Sequence, residues 1–463
     1  MPANHYRDLL ARTFGGRRWI VAKDVLAGQK GTVDALRDLG AAAALCIAGS
    51  TGTGDLPDLE FAPDPILLDI EANDMMGGIR AALDAFANLP DEHVRRVDAF
   101  DPDHDALVIG TIFDDGRPVA GRRKFGARPA AWQALEDKVV IDQLWDEIGV
   151  ERAPFEVVPA TLDALTHAAT RLDQGLGTVQ SGDAREGFNG GATYLRWVRT
   201  PAHQDEAAAF FAAHCDRVRV MPFLEGIPCS IHGIVFDGAT VALRPCEMLV
   251  FRRADSAFFH YGRAATFWDP PAADRTAMRQ MTRDVGDHLR ATLNYRGAFT
   301  IDGIMTRDGF RPTELNPRFG AALAMIATAC PDLPLFFLNL AVVEGIEADW
   351  RPDELERLLL DAADTRRAGA TLAVTDTLKV HEPQSLALVL DDDGFRPAMA
   401  DESSDAHLRI GPAATGNFLT IAFDSGRTPI GPSLAPRAVE ALRFADAHFG
   451  LDLGPLEPAR DVR

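Results

Sequence analysis

The spacing of apolar residues changes period several times along the chain. RRWIVAK (17–23), GTVDALRDLG (31–40) and AAAALCIAG (41–49) read as strand, helix and strand. Repeated alternation of this kind predicts a parallel sheet with helices on its faces. GIRAALDAFANL (78–89) supplies another helix and DALVIGTIF (105–113) another strand. AWQALEDKVVIDQLWDEIG (131–149) places Trp132, Leu135, Val139, Leu144, Trp145 and Ile148 near helical spacing, with Gly149 as its stop. Short alternating runs follow at 218–224, 229–236 and 240–251, punctuated by a Gly-Ile-Pro turn and an Asp-Gly turn. RTAMRQMTRDVGDHLRATLNY (275–295) then carries Met278, Met281, Val285, Leu289 and Leu293 on one helical stripe, the mark of a core face. After residue 370 the pattern becomes strand-like with Asp-Gly, Ser-Gly and Pro turns, and APRAVEALRFADAHFG (435–450) closes the chain as a helix.

At 463 residues the chain exceeds one ordinary core. The periodicity predicts an α/β and α+β multidomain protein: a βα region over 1–127, a central region over 128–348, and a small β-rich accessory domain over 349–463. A formal charge of −21 argues against nucleic acid or anionic membrane as a main partner. No stretch of ~18 apolar residues suggests a membrane span. The first twenty residues lack the apolar segment of a secretion signal, so a cytoplasmic location is expected. Five scattered cysteines with no C-x-x-C pair fit reduced thiols. Cys215 and Cys229 with His214 and His232 could in principle form a metal site, but they lack zinc spacing and read as small buried side chains and surface histidines. The Gly-rich GSTGTGD (49–55) follows a strand, where a phosphate cradle is imaginable, but its spacing is not G-x-G-x-x-G.

The chemistry concentrates in RGAFTIDGIMTRDGFRPTELNPRFG (296–320). Two strand-like runs flank Arg307-Asp308-Gly309, which suits a three-residue hairpin loop with glycine in the left-handed position. Centring the hairpin on Asp308 sets Asp302 opposite Glu314. Thr300 and Asp302 then share a face with Glu314, Asn316 and Arg318, while Phe299, Ile301 and Met305 face the core. Opposed carboxylates repel, so a shared proton or a cation must offset them. Two carboxylates and an amide oxygen suit Mg²⁺ held together with substrate phosphates, and an arginine one step on can grip a phosphate or carboxylate.

Asp302, a twelve-residue interval and then ELNPR resemble the metal-binding signature of the ATP-grasp enzymes. That resemblance implies a βα domain preceding a two-lobed ATP-grasp fold, whose nucleotide-covering subdomain spans about 150–222. It implies ATP and Mg²⁺ as cofactors, two ions with Mn²⁺ as a substitute, bound by Asp302, Glu314 and Asn316. Arg318 would assist the transferring phosphate and the acyl-phosphate intermediate. LEDKVVIDQLWDEIGVERAPFEVV (135–158) is similar to the family's D-K helix followed by G-V-x-x-P, which would make Lys138 a phosphate contact. VMPFLEGIPCSI (220–231) resembles the segment whose backbone reads adenine, which brings in Met221, Phe223, Leu224 and Glu225. GDAREGFNGG (182–191) sits where the family has its phosphate-covering loop.

The pattern also departs from the family. Gln180 occupies the place expected for a second ATP lysine, and no lysine lies between 139 and 378. Glutamine offers only a neutral donor, and Arg185 in the adjacent loop is the candidate to replace the charge. Met221 stands where the family usually has glutamate, and Pro228 where a ribose-binding acid often lies. Arg244, Glu247, Arg252 and Arg253 form a local cluster that reads either as a site for a substrate carboxylate or phosphate or as surface salt bridging. The resemblance implies a ligase joining a small-molecule carboxylate to an amine, for example by a peptide bond in a biosynthetic pathway, with a homodimer as an allowed assembly. Two alternatives remain: a bicarbonate-activating enzyme like biotin carboxylase, or a nucleotide-binding homologue without turnover.

Overall fold

The computed structural model describes residues 2–71, 75–185, 187, 190–413 and 415–463. Near the N-terminus, strands Arg18–Ala22, Ala43–Ala48, Ile66–Leu67 and Leu107–Ile109 form a parallel sheet. Their side chains are buried on both faces, as a parallel sheet requires. Ile20 and Ala22 pack with Ala82, Phe86 and Val97 from two helices, whereas Trp19 and Val21 pack with Val33 and Leu36 on the other side. Chain direction across the sheet reverses between Arg18–Ala22 and Leu107–Ile109. Ligands in open α/β sheets collect beyond the carboxyl ends of strands at such a switch point. Ile112 and Phe113, just past the Leu107–Ile109 strand, line the large cavity described below.

A small antiparallel sheet follows, in the order Glu156–Pro159, Arg217–Pro222, Thr178–Gly182, Leu195–Val198. Helices Leu162–Leu172 and Pro201–His214 cover one face, burying Leu165, Ala168, Ala207 and Phe211 against Val218 and Val220. Both helices begin at a threonine cap: Thr161 accepts from the Ala164 amide and Thr200 from the His203 amide. The opposite face of this sheet forms one wall of the cavity.

Facing it is a twelve-stranded sheet among the described residues. Its edge runs Gly309–Asn316, Gly297–Thr306, Ile227–Val235, Cys246–Arg253 and Phe259–Ala265. Helix Ala272–Leu293 lies beneath, its Met278, Val285 and Leu289 packed on Phe299, Ile301 and Leu315 as the stripe predicts, and Asn294 ends it in the left-handed conformation. Strand Gly369–Val374 pairs with Phe259–Ala265, so the sheet continues across residue 349 into the C-terminal strands. Helix Ala435–Phe449 packs against that extension. No helix of the described residues is long and apolar enough to cross a membrane.

Two expected elements are divided. The helix expected over 131–149 breaks into Ala130–Gln133, a tight turn at Ala134–Glu136, and Ile141–Ile148. Asp137 adopts an extended backbone and accepts from the Val139 amide at 3.0 Å, a local turn that competes with the helix. The run at 240–251 splits at Pro245 into Thr240–Ala242 and Cys246–Arg253. The Gly-rich 49–55 loop touches the C-terminal strands, where Thr53 donates to the Pro412 carbonyl at 2.6 Å.

Candidate active site

The hairpin places Asp302 opposite Glu314 and Thr300 opposite Asn316. It reaches that register by a different route from the one expected. Thr306 pairs with Gly309, leaving a two-residue turn of Arg307 and Asp308. The pairing then slips by one at Thr313, so a bulge restores the offset that a three-residue loop would have given. On the other side, Asp302 lies beside Ser230 of the Ile227–Val235 strand. Ser230 Oγ donates to Asp302 Oδ1 at 2.5 Å, and Asn316 Nδ2 donates to Asp302 Oδ2 at 2.8 Å. Arg318 donates to Asn316 Oδ1 at 2.9 Å, and Lys138 Nζ donates to Glu314 at 2.9 Å. Burial, and then the neighbouring Glu314 charge, raise the Asp302 carboxyl well above the usual carboxylate range. A cation between the two acids would offset both costs.

Lys138 owes its place to the break in the expected helix. Being in the turn at 137–140, it is buried and directed at the hairpin instead of lying on a solvated helix face. Arg318 also approaches Glu136, at 3.5 Å, and lies over the Phe113 ring at 5.0 Å. Arg128 fixes Glu136 at 2.5 Å and donates to the Pro317 carbonyl, so the βα region, the 134–140 turn and the hairpin meet at one point.

These groups lie in a cavity of about 420 Å³ between the small sheet and the large one. Val179, Met221 and Leu224 contribute apolar wall from one lobe, and Met248, Val250 and Ile304 from the other. Phe223 also lines it, stacked on Trp197 at 4.3 Å, and its amide donates to the Gly177 carbonyl. The Glu225 side chain instead pairs with Arg252.

Gln180 does not face the cavity. Strand alternation turns Val179 and Ser181 inward and sends Gln180 into the subdomain core, where it exchanges hydrogen bonds with Gln204 at 2.8 and 3.3 Å. Arg185 is also directed elsewhere, to Asp216 at 3.3 Å and to the Ala213 carbonyl. Positive charge on this wall comes from Arg219, which lies opposite Ser181 on the adjacent strand and lines the cavity. Arg219 binds Asp142 at 2.6 and 3.0 Å, and Arg152 binds the same carboxylate at 2.8 Å. Arg152 also pairs with Asp146 at 2.9 Å, so in this cluster two guanidiniums meet two carboxylates.

The 244–253 cluster disperses onto different partners. Arg244 is buried against Asp269 and Asp364, and Arg253 pairs with Asp255. Glu247 is fully enclosed, accepting from Ser433 Oγ at 2.5 Å and the Leu434 amide at 2.7 Å. Only Arg252 of the four lines the cavity. All five cysteines are buried as expected, but His232 is not at the surface: it is fully buried in the Ile227–Val235 strand, where burial lowers its pKa to about 3 and its ring is bonded to Thr300. Sequence reasoning missed Ser230, Arg219 and Tyr261. Ser230 could have been found from the alternation of CSIHGIVF once that strand was placed beside Asp302.

No family model matches the sequence, and a search of curated proteins found no match. Solved structures match over nearly the whole chain. N5-carboxyaminoimidazole ribonucleotide synthetase in its ADP complex is 13% identical, covering 94% of this chain and 98% of its own, with a TM-score of 0.54. The biotin carboxylase domain of Hydrogenobacter thermophilus 2-oxoglutarate carboxylase, solved with MgADP, ADP and bicarbonate, is 12% identical, covering 96% and 91%, at 0.54. L-amino acid ligase from Bacillus licheniformis is 13% identical, covering 89% and 95%, at 0.51. The chain therefore has the multidomain ATP-grasp fold.

Proposed function

We propose that this protein is an ATP- and magnesium-dependent ligase that activates a carboxylate as an acyl phosphate and joins it to an amine. The observation that carries this reading is the gathering of Asp302, Glu314, Asn316, Arg318 and Lys138 at one end of the interlobe cavity. Among the described residues, no three His, Cys, Asp or Glu side chains are grouped to hold a metal. The donor set instead pairs two carboxylates with an amide oxygen and leaves positions for phosphate oxygens, as Mg²⁺ prefers. Magnesium, when bound, neutralises phosphate charge.

In this reading the apolar slot between Met221, Leu224 and Ile304 takes the adenine. Lys138 and Arg219 supply positive charge along the phosphates, Arg219 in the role that Gln180 cannot fill. A substrate carboxylate oxygen attacks the γ-phosphorus, and the bond to ADP breaks with its electron pair leaving on ADP. The amine nitrogen then attacks the acyl carbon, inorganic phosphate leaves with the C–O electron pair, and the nitrogen releases a proton. Arg318 holds the charge that develops on the transferring phosphoryl group and acyl phosphate. Side chains fixed by the strand register present these groups without reorganisation.

ADP release measured against a panel of acids and amines tests the reading. Turnover is expected only when both are supplied, and Asp302→Asn and Glu314→Gln should each lower it by about 100-fold or more. ADP released with bicarbonate alone would point to bicarbonate activation. Full turnover in either variant would overturn the metal assignment.

A further inference from the structure

The helix Met75–Ala87 carries more apolar side chains than the sheet beside it uses. Ala82 and Phe86 pack with Ile20 and Val108 in the core of the N-terminal sheet. Met76, Ile79 and Leu83, spaced three and four residues apart, form a second and separate cluster with Phe113. Met76, Ile79 and Phe113 also line the interlobe cavity, as does Ile112. Ile112 and Phe113 are only half-buried, which leaves surface for a ligand to cover. Among the described residues, these four are all that residues 1–127 contribute to the cavity, and none carries a charge. Their acidic neighbours are tied up among themselves: Asp114 binds Lys124 at 2.7 Å, and Arg117 takes Asp84 at 2.9 Å and Asp115 at 2.6 Å.

The adjoining wall is equally neutral. Just past Arg318, Gly320, Ala321 and Ala322 line the cavity where helix Ala321–Thr328 begins. Gly320 has to be small, since a Cβ there would come within 2.3 Å of Thr300 Oγ1. Ala321 is exposed, so packing leaves room for a larger side chain at that position. Among the described residues, every charged group lining the cavity (Lys138, Arg219, Arg252, Asp302, Glu314 and Arg318) lies outside this apolar end of the chain, in residues 128–348. Arg318 stands at the boundary. Its guanidinium lies over the Phe113 ring at 5.0 Å and donates to Asn316, which in turn donates to Asp302. A second charge carried past Arg318 would find no partner, whereas a hydrocarbon there gains by leaving water.

Resting on the ligase reading above, we propose that this apolar end is the pocket for the side chain of the acyl donor, which is therefore a monocarboxylic acid bearing a hydrocarbon or aromatic group and no second charge. Arg318 holds the reacting carboxyl, and its substituent lies on Phe113, Ile112, Ile79 and Met76. The acid and not the amine is assigned here because Phe113 touches the same arginine that holds the acyl phosphate. Gly320 and Ala321 keep the opposite side open.

The test measures ADP release with Mg-ATP, an amine panel and straight-chain, branched and aromatic monocarboxylates, each beside the dicarboxylate of equal length. Calorimetry follows binding of the same acids with Mg²⁺ and a non-hydrolysable ATP analogue. kcat/KM should climb roughly 4-fold for each added methylene until the pocket is full. Each monocarboxylate should exceed its dicarboxylate by about 10-fold or more. Ala321→Leu, at an exposed position, should melt near wild type and move the optimum to shorter acids, while Ile79→Ala should move it to longer or bulkier ones. A rate indifferent to chain length would overturn the proposal, as would equal use of dicarboxylates or an optimum that stays in place in Ala321→Leu. If ADP appears only with doubly charged acids, the ligase reading stands and the apolar pocket falls. If no acid–amine pair releases ADP, yet monocarboxylates bind with a length optimum that Ala321→Leu shortens, the ligase reading fails and the pocket stands. Monocarboxylates that neither bind nor react overturn the pocket itself.

Discussion

Single side chains in this protein take their roles from which face of a strand they occupy, and Gln180 shows how far one position matters. Sequence order puts it where a phosphate-binding lysine is expected, but its amide is spent on Gln204 inside the covering lobe. Gln180→Ala should therefore leave nucleotide affinity unchanged in calorimetry and lower stability by about 1–3 kcal/mol, because Gln204 would keep buried polar atoms without a partner. Arg219→Gln should do the reverse at the nucleotide, raising the ATP Kd by about 10-fold, since it removes charge from the cavity wall. A Gln180→Ala variant that lost ATP binding would place the glutamine back in the site. Lys138 teaches a related lesson. Its lysine chemistry is legible from the sequence, but its burial against Glu314 depends on a turn that helical periodicity conceals.

At the scale of elements, the site is a property of three neighbouring strands in register. Ser230, Asp302 and Glu314 lie side by side across Ile227–Val235, Gly297–Thr306 and Gly309–Asn316. Ser230 orients the carboxylate from behind, and outer partners of metal ligands commonly carry 10- to 100-fold of the affinity. Ser230→Ala should weaken Mg²⁺-dependent nucleotide binding by about that factor while leaving the melting temperature near wild type. Unchanged magnesium dependence would show that Asp302 needs no such support. The pairing of Asp302 with Glu314 was legible in the sequence because Phe299, Ile301 and Leu315 alternate with Thr300, Asp302, Glu314 and Asn316 around the two acids. The turn was not, since a three-residue loop and a two-residue turn with a bulge at Thr313 give the same pattern further along. The parallel N-terminal sheet and the 272–293 helix were legible for the same reason of strong periodicity. Partners distant in the chain, such as Gln204 for Gln180 or Asp142 for Arg219, leave no local trace.

Across the whole molecule, the C-terminal region is fastened to the twelve-stranded sheet by polar as well as apolar contacts. Glu247 reaches Ser433 and Leu434 at the start of the last long helix, and burial pushes its pKa up to about 7 from 4.5. The folded chain therefore holds a proton between these values that the unfolded chain releases. This contribution to stability is complete below pH 4.5 and is lost as pH rises through 7. Unfolding titrations should show the stability of wild type relative to Glu247→Gln falling by up to about 3 kcal/mol over that interval. A difference that stays flat with pH would mean that the carboxylate is ionised in the fold. The same continuity bears on how such a protein can change its substrate. The strand bearing Tyr261 shares backbone hydrogen bonds with Gly369–Val374, so neither is the free edge of a separate module. A chimera joined near residue 349 would break a sheet and not merely exchange an appendage. New specificity in this lineage is better sought by altering side chains along the cavity wall than by swapping domains.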